Sequence, residues 1–154
     1  MTPDQKVLLT KELVRDESLR LKPYLDCCGK AWFNCTCVEK GKLTIGVGRN
    51  LDDVGITQEE AKHLLEGDIR TAENCLNAAY PWTQSLGDTR RRVLVNMMFN
   101  MGLPVFSQFK RTLAHVQAGR WEEAAVEMLS SDWSQHVGDR ALRLAEMMRT
   151  GKDL

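Results

Sequence analysis

The first stretch of the chain has the hydrophobic spacing of an amphipathic helix. Thr2 followed by Pro3 is a typical helix start, because a threonine side chain can accept from a free backbone N–H and proline needs no hydrogen-bond partner there. Apolar residues then recur at helical spacing, at Val7, Leu8, Leu9, Leu13 and Val14. This pattern predicts a helix that ends at about Arg15 or Asp16.

The region from about residue 22 to residue 50 has a different pattern. Its apolar and β-branched residues come in short runs, and glycines interrupt them at Gly29, Gly41, Gly46 and Gly48. Short runs of this kind between glycines are typical of strands joined by turns. The region therefore predicts a small sheet or a set of hairpins.

Helical periodicity returns at Thr57 and continues to the end of the chain. Thr57 and Glu60 have the spacing of a capping box, and an apolar stripe follows as far as Pro81, which cannot continue a helix. A segment at about 88–101 is apolar on nearly every side, which is typical of a helix buried in a core.

Three further helices are expected near the C-terminus. They cover about 107–118, 121–130 and 139–149, and Gly119 and Gly151 follow the first and the last of them. The expected fold class is therefore α+β, with one small β-containing part and a mainly helical remainder.

Composition restricts the class of protein. Of 154 residues, 43% are hydrophobic and 27% are charged, as in ordinary soluble globular proteins. The 21 basic and 21 acidic side chains give a formal net charge of zero, so we expect no nucleic-acid partner. The sequence contains no stretch as apolar as a membrane span and no secretory signal pattern. We therefore expect synthesis in the cytoplasm and no insertion into a membrane.

The cysteines leave three possibilities open. Four of the five are clustered at Cys27, Cys28, Cys35 and Cys37. A disulfide from the first pair to the second is geometrically easy, because Cys35 and Cys37 project from the same face of any strand. A zinc site would need an irregular backbone at Cys27, since adjacent residues otherwise project oppositely, and the usual C-x₂₋₄-C spacing is missing. Free thiols are the third possibility.

Glu17 is the first candidate for acid–base chemistry. It follows Val14 by three residues and Leu13 by four, so its carboxyl group lies on the apolar side of the predicted helix. Partial desolvation there would favour the protonated form that a general acid needs at neutral pH. The alternative interpretation is a helix-end acid paired with a nearby arginine.

Asp26 and Thr44 are further candidates. Asp26 follows the turn at Pro23 and can face Glu17 across a cleft, and two carboxyl groups from different elements are the minimum for glycoside hydrolysis. Thr44 lies in the predicted strand 43–48, where its hydroxyl could hold a water molecule. Each residue alone is a weak signal, because aspartate is common in turns and threonine in strands.

Six segments taken in order are more specific. They are DESLRLKPYLD (16–26), LTIGVGRN (43–50), RRRVLVNMMFNMG (90–102), FKRTL (109–113), GRWEEAA (119–125) and RTG (149–151). In content and order they resemble the phage-type lysozymes, the muramidase family that includes the lysozymes of the T-even phages. The resemblance extends over nearly the whole chain.

The resemblance implies a fold and an activity. The fold would be one two-lobed lysozyme domain over 1–154. It would have a β-containing lobe at about 16–56, a connecting helix at about 57–80 and a helical lobe at about 81–154. The N-terminal helix would belong to the helical lobe. The activity would be hydrolysis of the β-1,4 bond between N-acetylmuramic acid and N-acetylglucosamine in peptidoglycan. The enzyme would be a glycoside hydrolase that acts as a monomer on glycan strands, without a cofactor or a catalytic metal.

The resemblance also implies catalytic roles. The family's glutamate, aspartate and threonine correspond to Glu17, Asp26 and Thr44. Its buried arginine, which pairs with the glutamate, corresponds to Arg140. The interval from Asp26 to Thr44 is longer than in the family, and the additional segment contains most of the cysteines.

Saccharide contacts of the family correspond to Asn50, Phe99 and Thr112. Phe99 is the residue type that the family has, whereas Asn50 and Thr112 replace other side chains. Arg49 stands where the T-even enzymes have histidine.

Three other functions would use these residues differently. A glycan-binding domain would have lost its acid, a lytic transglycosylase can operate with one glutamate and forms an anhydro product, and a zinc-stabilised binding module would use the clustered cysteines. The joint presence of Glu17, Asp26 and Thr44 favours the muramidase, used as a phage endolysin or for wall penetration. Such an enzyme would be made in the host cytoplasm and reach the wall in the periplasm through a holin-type pore or from the phage particle.

Overall fold

In the computed structural model, which describes residues 1–154, the first helix begins where the sequence predicts. Helix α1 is Pro3–Glu17, and the Thr2 side chain caps it by accepting a hydrogen bond of 3.3 Å from the Gln5 amide. The helix ends at Ser18, which has a positive φ of 63°. None of its residues is buried, so the apolar stripe of α1 is exposed.

A small antiparallel sheet follows α1 and confirms the expectation for this region. Its strands are β1 (Arg20–Leu25), β2 (Leu43–Gly46) and β3 (Arg49–Asn50), in the order β1-β2-β3. Thr44 on the central strand lies opposite Tyr24 on β1 and opposite Asn50 on β3. The register shifts between Arg20 and Tyr24, which marks an irregularity in β1.

Helix α2 (Gln58–Ala79) begins with the expected capping box. The Glu60 amide donates to the Thr57 hydroxyl at 3.1 Å, and the Thr57 amide donates to the Glu60 carboxylate at 2.8 Å. Only Ala72 and Leu76 of this helix are buried, so its apolar stripe is covered in the second half alone. The chain divides into two units, Met1–Ala61 and Lys62–Leu154, within the first turn of α2.

The second unit is helical throughout. After a 3₁₀ helix at Pro81–Ser85 come α3 (Asp88–Phe106), α4 (Lys110–Gln117), α5 (Trp121–Leu129), α6 (Asp132–Val137) and α7 (Asp139–Thr150). All four helices expected here are present, and α6 is an additional one. Helix α3 continues past its expected end because Gly102, with φ of 68°, admits a kink, after which the chain forms another helical turn.

The hydrophobic core of the second unit is centred on α3, α5 and α7. Val93, Leu94 and Met97 of α3 are completely buried, whereas Phe99 is 43% exposed, so α3 is not buried on every side as expected. No helix of the chain combines the length and the apolar character needed to cross a bilayer. The small sheet and the mainly helical remainder confirm the α+β class.

Candidate active site

The carboxylate of Glu17 lies against the turn that follows β2. A β-carbon built on Gly48 would stand 3.2 Å from Glu17 Oε2 and 3.5 Å from its Cδ, and Gly48 has a φ of +70°. The positive φ favours glycine at this position, and an added β-carbon would also press on the Glu17 carboxylate. Glu17 itself is exposed, so the expected partial desolvation of its carboxyl group by an apolar helix face is wrong.

Asp26 is fixed by the backbone just before β2. The Lys42 amide donates to Asp26 Oδ1 at 2.8 Å, and the Asp26 amide donates to the Lys42 carbonyl at 3.1 Å. A β-carbon on Gly41 would overlap Asp26 Oδ1, so the chain passes very close to the carboxylate here. These contacts hold one carboxylate oxygen in place and leave Oδ2 without a hydrogen-bond partner from the protein.

Thr44 is one of two buried residues in the first unit, with 4% of its surface exposed. Its hydroxyl donates to the Lys42 carbonyl at 3.2 Å. A hydroxyl that donates in this way keeps its oxygen lone pairs as acceptors. The backbone of Lys42 therefore contacts both Asp26 and Thr44.

All three catalytic candidates are thus attached to β2 or to its ends. Asp26 is bound by Lys42, which directly precedes the strand, Thr44 lies within it, and Glu17 contacts Gly48 just after it. The three candidates are therefore distributed along residues 42–48 of the first unit.

Asn50 binds the turn that follows β3. Its amide nitrogen donates to Asp53 Oδ2 at 2.8 Å, and its Oδ1 accepts from the Asp53 amide at 3.0 Å. Lys42 Nζ also binds Asp53 at 2.9 Å. The hydrogen bond from Lys42, followed by that from Asn50, lowers the pKa of Asp53. Asn50 stabilises the turn after β3 in this structure, and its saccharide contact remains a prediction.

Arg49 holds the other side of the same turn. Its Nε donates to the Gly55 carbonyl at 2.7 Å, and Nη1 lies 2.9 Å from the Glu60 carboxylate. The pKa of Glu60 is lowered, first by the hydrogen bond from the Thr57 amide and further by the charge of Arg49. The start of α2 is thereby connected to β3.

In the second unit, Phe99 and Arg140 line one cleft of about 550 Å³. Arg140 is partly buried, and its Nε and Nη2 donate to Asn96 Oδ1 at 2.9 and 2.7 Å. Asn96 lines the same cleft and orients the guanidinium. The bond from Arg140 to Glu17 remains a prediction.

Thr112 does not share this cleft. It is 3% exposed and lines a separate cavity of about 540 Å³, together with Phe109 and Trp133. The structure therefore groups Phe99 with Arg140 and places Thr112 elsewhere in the helical unit. Its saccharide contact also remains a prediction.

Sequence reasoning did not identify three residues that position the candidates. Gly48 could have been found from the paired glycines of the segment TIGVGRN, and Asn96 from its isolated polar side chain in the apolar segment VLVNMMF. Lys42 acts through its backbone N–H and C=O, so its residue type carries no signal.

The four clustered cysteines come together beside Asp26. Every Sγ of Cys27, Cys28, Cys35 and Cys37 lies within 4.8 Å of the others, and all are free thiols. The hydrogen bond from the Cys37 amide lowers the pKa of the Cys35 thiol to about 7. Hydrogen bonding to Cys27, and then to Cys35, raises the pKa of Cys37 to about 12.

Comparison with known proteins identifies the family of the chain. Residues 14–149 match the family described as Phage lysozyme. The chain is 30% identical over 99 residues to "Probable T4-type lysozyme 2" of Dictyostelium discoideum, an alignment covering 62% of this chain and 58% of that protein. It is 29% identical over 99 residues to "Probable T4-type lysozyme 1" of the same organism, with the same coverage.

A third relative comes from a phage. The chain is 30% identical over 159 aligned positions to the pre-baseplate central spike protein Gp5 of Enterobacteria phage T4. This alignment covers 93% of this chain and 28% of that protein. The chain thus spans 58% of the length of the Dictyostelium relatives and a smaller part of the spike protein. Because the family match includes all but the first 13 and last five residues, the chain belongs to the phage lysozyme family.

Proposed function

We propose that this chain is a muramidase that hydrolyses the β-1,4 bond between N-acetylmuramic acid and N-acetylglucosamine in peptidoglycan. Membership of the phage lysozyme family supports glycoside hydrolase chemistry. The observation that carries the proposal is the attachment of Glu17, Asp26 and Thr44 to β2 and its two ends.

Glu17 is the general acid of the proposed reaction. Its carboxyl group is exposed and so is accessible to a glycan, and its contact with Gly48 restricts where the group can lie. Protonation of the glycosidic oxygen by Glu17 allows the sugar to leave as the bond breaks.

Asp26 and Thr44 hold the attacking water. Asp26 Oδ1 is occupied by the Lys42 amide, so Oδ2 is available to accept a proton from water. The Thr44 hydroxyl donates to the Lys42 carbonyl, so its oxygen can accept the second hydrogen of the same water. Attack of this water on the anomeric carbon completes hydrolysis, and no cofactor is needed.

The remaining candidates serve substrate binding. Phe99 offers a half-exposed ring in the cleft that contains Arg140, and an aromatic face of this kind can pack against a sugar. Arg140 is a positioning residue for the acid. Asn50 and Thr112 form polar contacts with the saccharide in the proposed complex.

The proposed setting is a bacterial cell wall during phage infection. The enzyme acts as a monomer on peptidoglycan glycan strands, either in host lysis or in wall penetration. It is made in the host cytoplasm and reaches the wall in the periplasm through a holin-type pore or from the phage particle. Similarity to a central spike protein supports the particle route.

Digestion of purified peptidoglycan by the full chain, followed by mass analysis of the fragments, tests this function. Fragments with hydrated reducing ends support the muramidase. Anhydro ends would contradict the muramidase and indicate a lytic transglycosylase. Intact glycan with bound protein would contradict it and indicate a binding module.

A further inference from the structure

The sulfur atoms of the cysteine cluster have the spacing of a metal site. Cys27 Sγ lies 3.8 Å from Cys28 Sγ and 3.7 Å from Cys35 Sγ. Four sulfurs about 2.3 Å from a tetrahedral Zn²⁺ are about 3.8 Å apart, whereas sulfurs in a disulfide are about 2.05 Å apart. The separations of Cys27 from Cys28 and from Cys35 are therefore already those of a zinc tetrathiolate.

We propose that Cys27, Cys28, Cys35 and Cys37 bind one Zn²⁺ as a structural centre. All four sulfurs lie within 4.8 Å of one another, which leaves room for a single ion between them. Four protein ligands close the coordination shell, so the ion has no open position for catalysis.

The backbone at Cys27 has the irregularity that such a site requires. Residues 26–28 form a turn directly after β1, so the adjacent cysteines are not constrained to opposite faces of a strand. Arg20 fixes this turn, because its Nη1 donates to the Gly29 carbonyl at 2.8 Å. A β-carbon on Gly29 would stand 3.0 Å from the same nitrogen, so the guanidinium packs closely on the turn.

The segment around the cluster lacks a hydrophobic core of its own. In residues 1–61 only Leu25 and Thr44 are buried, and no residue from 26 to 42 is buried. Trp32 and Phe33 pack against each other and are exposed. A bound metal would order a segment that has so little core, and four thiolates supply its ligands.

The ligand set selects zinc among the common ions. Thiolates do not suit Ca²⁺ or Mg²⁺, which prefer oxygen, and Zn²⁺ binds a given site more tightly than Fe²⁺ does. Each thiol releases its proton to solvent when it binds, so zinc affinity falls as the pH is lowered.

Metal analysis of the full chain, purified with reductant from cells supplied with zinc, tests the proposal. We expect one zinc per chain, retained in Cys75→Ser, whose cysteine lies in α2 away from the cluster sequence. We expect its loss in the double variant Cys35→Ser/Cys37→Ser, with the helical circular dichroism of the chain retained.

The wild-type protein provides a measurement that does not depend on a variant folding. A zinc chelator should release one ion per chain and expose four additional thiols to a thiol reagent. Five reactive thiols without metal, a disulfide within the cluster, or iron in place of zinc would each overturn the proposal. Because metal and thiols are measured directly, the result is independent of peptidoglycan cleavage.

Discussion

Gly48 lies directly against the carboxylate of Glu17, with the position of a β-carbon only 3.2 Å from Oε2. Gly46, two residues earlier, has nearly the same φ, +67° against +70°, but no atom within 4 Å of its β-carbon position. The two glycines share a positive φ and differ in their contact with the acid. Substitutions at the two positions therefore distinguish the effect of backbone strain from the effect of contact with Glu17.

Alanine at either glycine should destabilise the fold by about 1–2 kcal/mol, because a left-handed conformation is unfavourable for residues with a β-carbon. Only Gly48→Ala should also lower the cleavage rate, by about 10-fold or more, since displacement of a catalytic group by about 1 Å can cost about 100-fold. Urea unfolding and peptidoglycan cleavage measure the two effects. Equal losses of activity in Gly46→Ala and Gly48→Ala would show that the contact has no role.

Local signals predicted most of the helices. The capping pair Thr57 and Glu60 forms as expected, and Gly151 ends α7 in the left-handed conformation. The residues of such a signal lie within about one helical turn of each other, so the sequence alone shows the whole signal. Helix α6 was missed, although the side chain of Ser131 accepts from the Ser134 amide as an N-cap.

Contacts between distant segments were less predictable. Periodicity gave α1 an apolar face, but whether that face is buried depends on packing, and the structure leaves it exposed. The turn at Cys27 is held by Arg20 from β1, and Asp26 is held by Lys42, which is 16 residues later in the chain. Neither interaction has a spacing rule that would reveal it in the sequence.

Asp26→Asn should keep the fold and lose activity. Asparagine Oδ1 can still accept from the Lys42 amide, whereas its amide group cannot take up a proton from water. We expect a loss of at least about 10-fold, smaller than that caused by removal of the acid. Asp26→Ala removes the hydrogen bond as well and should cost about 1 kcal/mol more in stability. Unfolding and cleavage measurements on both variants check this, and a fully active Asp26→Asn would exclude a role in activating water.

The reaction should invert the anomeric configuration, because Asp26 and Thr44 are proposed to direct water rather than to form a covalent bond. In inverting enzymes the two carboxyl groups are separated by roughly 6.5–9.5 Å, which leaves room for water. Proton NMR during early hydrolysis of a soluble peptidoglycan oligosaccharide identifies the first anomer. An α anomer is expected, and a β anomer formed first would reject this mechanism.

The capping box should contribute stability that depends on pH. The Thr57 amide, and then Arg49, hold the pKa of Glu60 below its ordinary value of 4.5. Because the folded pKa is depressed, the contribution is present above the ordinary pKa and is lost as the pH falls through the folded value. Glu60→Gln should therefore lower the Tm at neutral pH, and the difference from wild type should shrink in acid.

Glu59→Gln is the matched control for this effect. Glu59 also lies in the first turn of α2, but its carboxylate has no hydrogen-bond partner in the protein. Thermal unfolding of the three proteins from neutral to acidic pH gives the comparison. A constant difference between Glu60→Gln and wild type over this range would contradict the role of the ionised carboxylate.

The role of Glu17 as the acid is tested most directly by the release of reducing ends from purified peptidoglycan by wild type, Glu17→Gln and Glu12→Gln. Glu12 is an exposed glutamate on the same helix and serves as the control. Glutamine keeps the shape of the side chain without its transferable proton, so Glu17→Gln should lose at least about 100-fold in rate. Both variants should unfold within about 1 kcal/mol of wild type, and Glu12→Gln should remain active. Retention of about a tenth of the wild-type rate by Glu17→Gln would contradict the assignment, since general acid catalysis contributes far more than this.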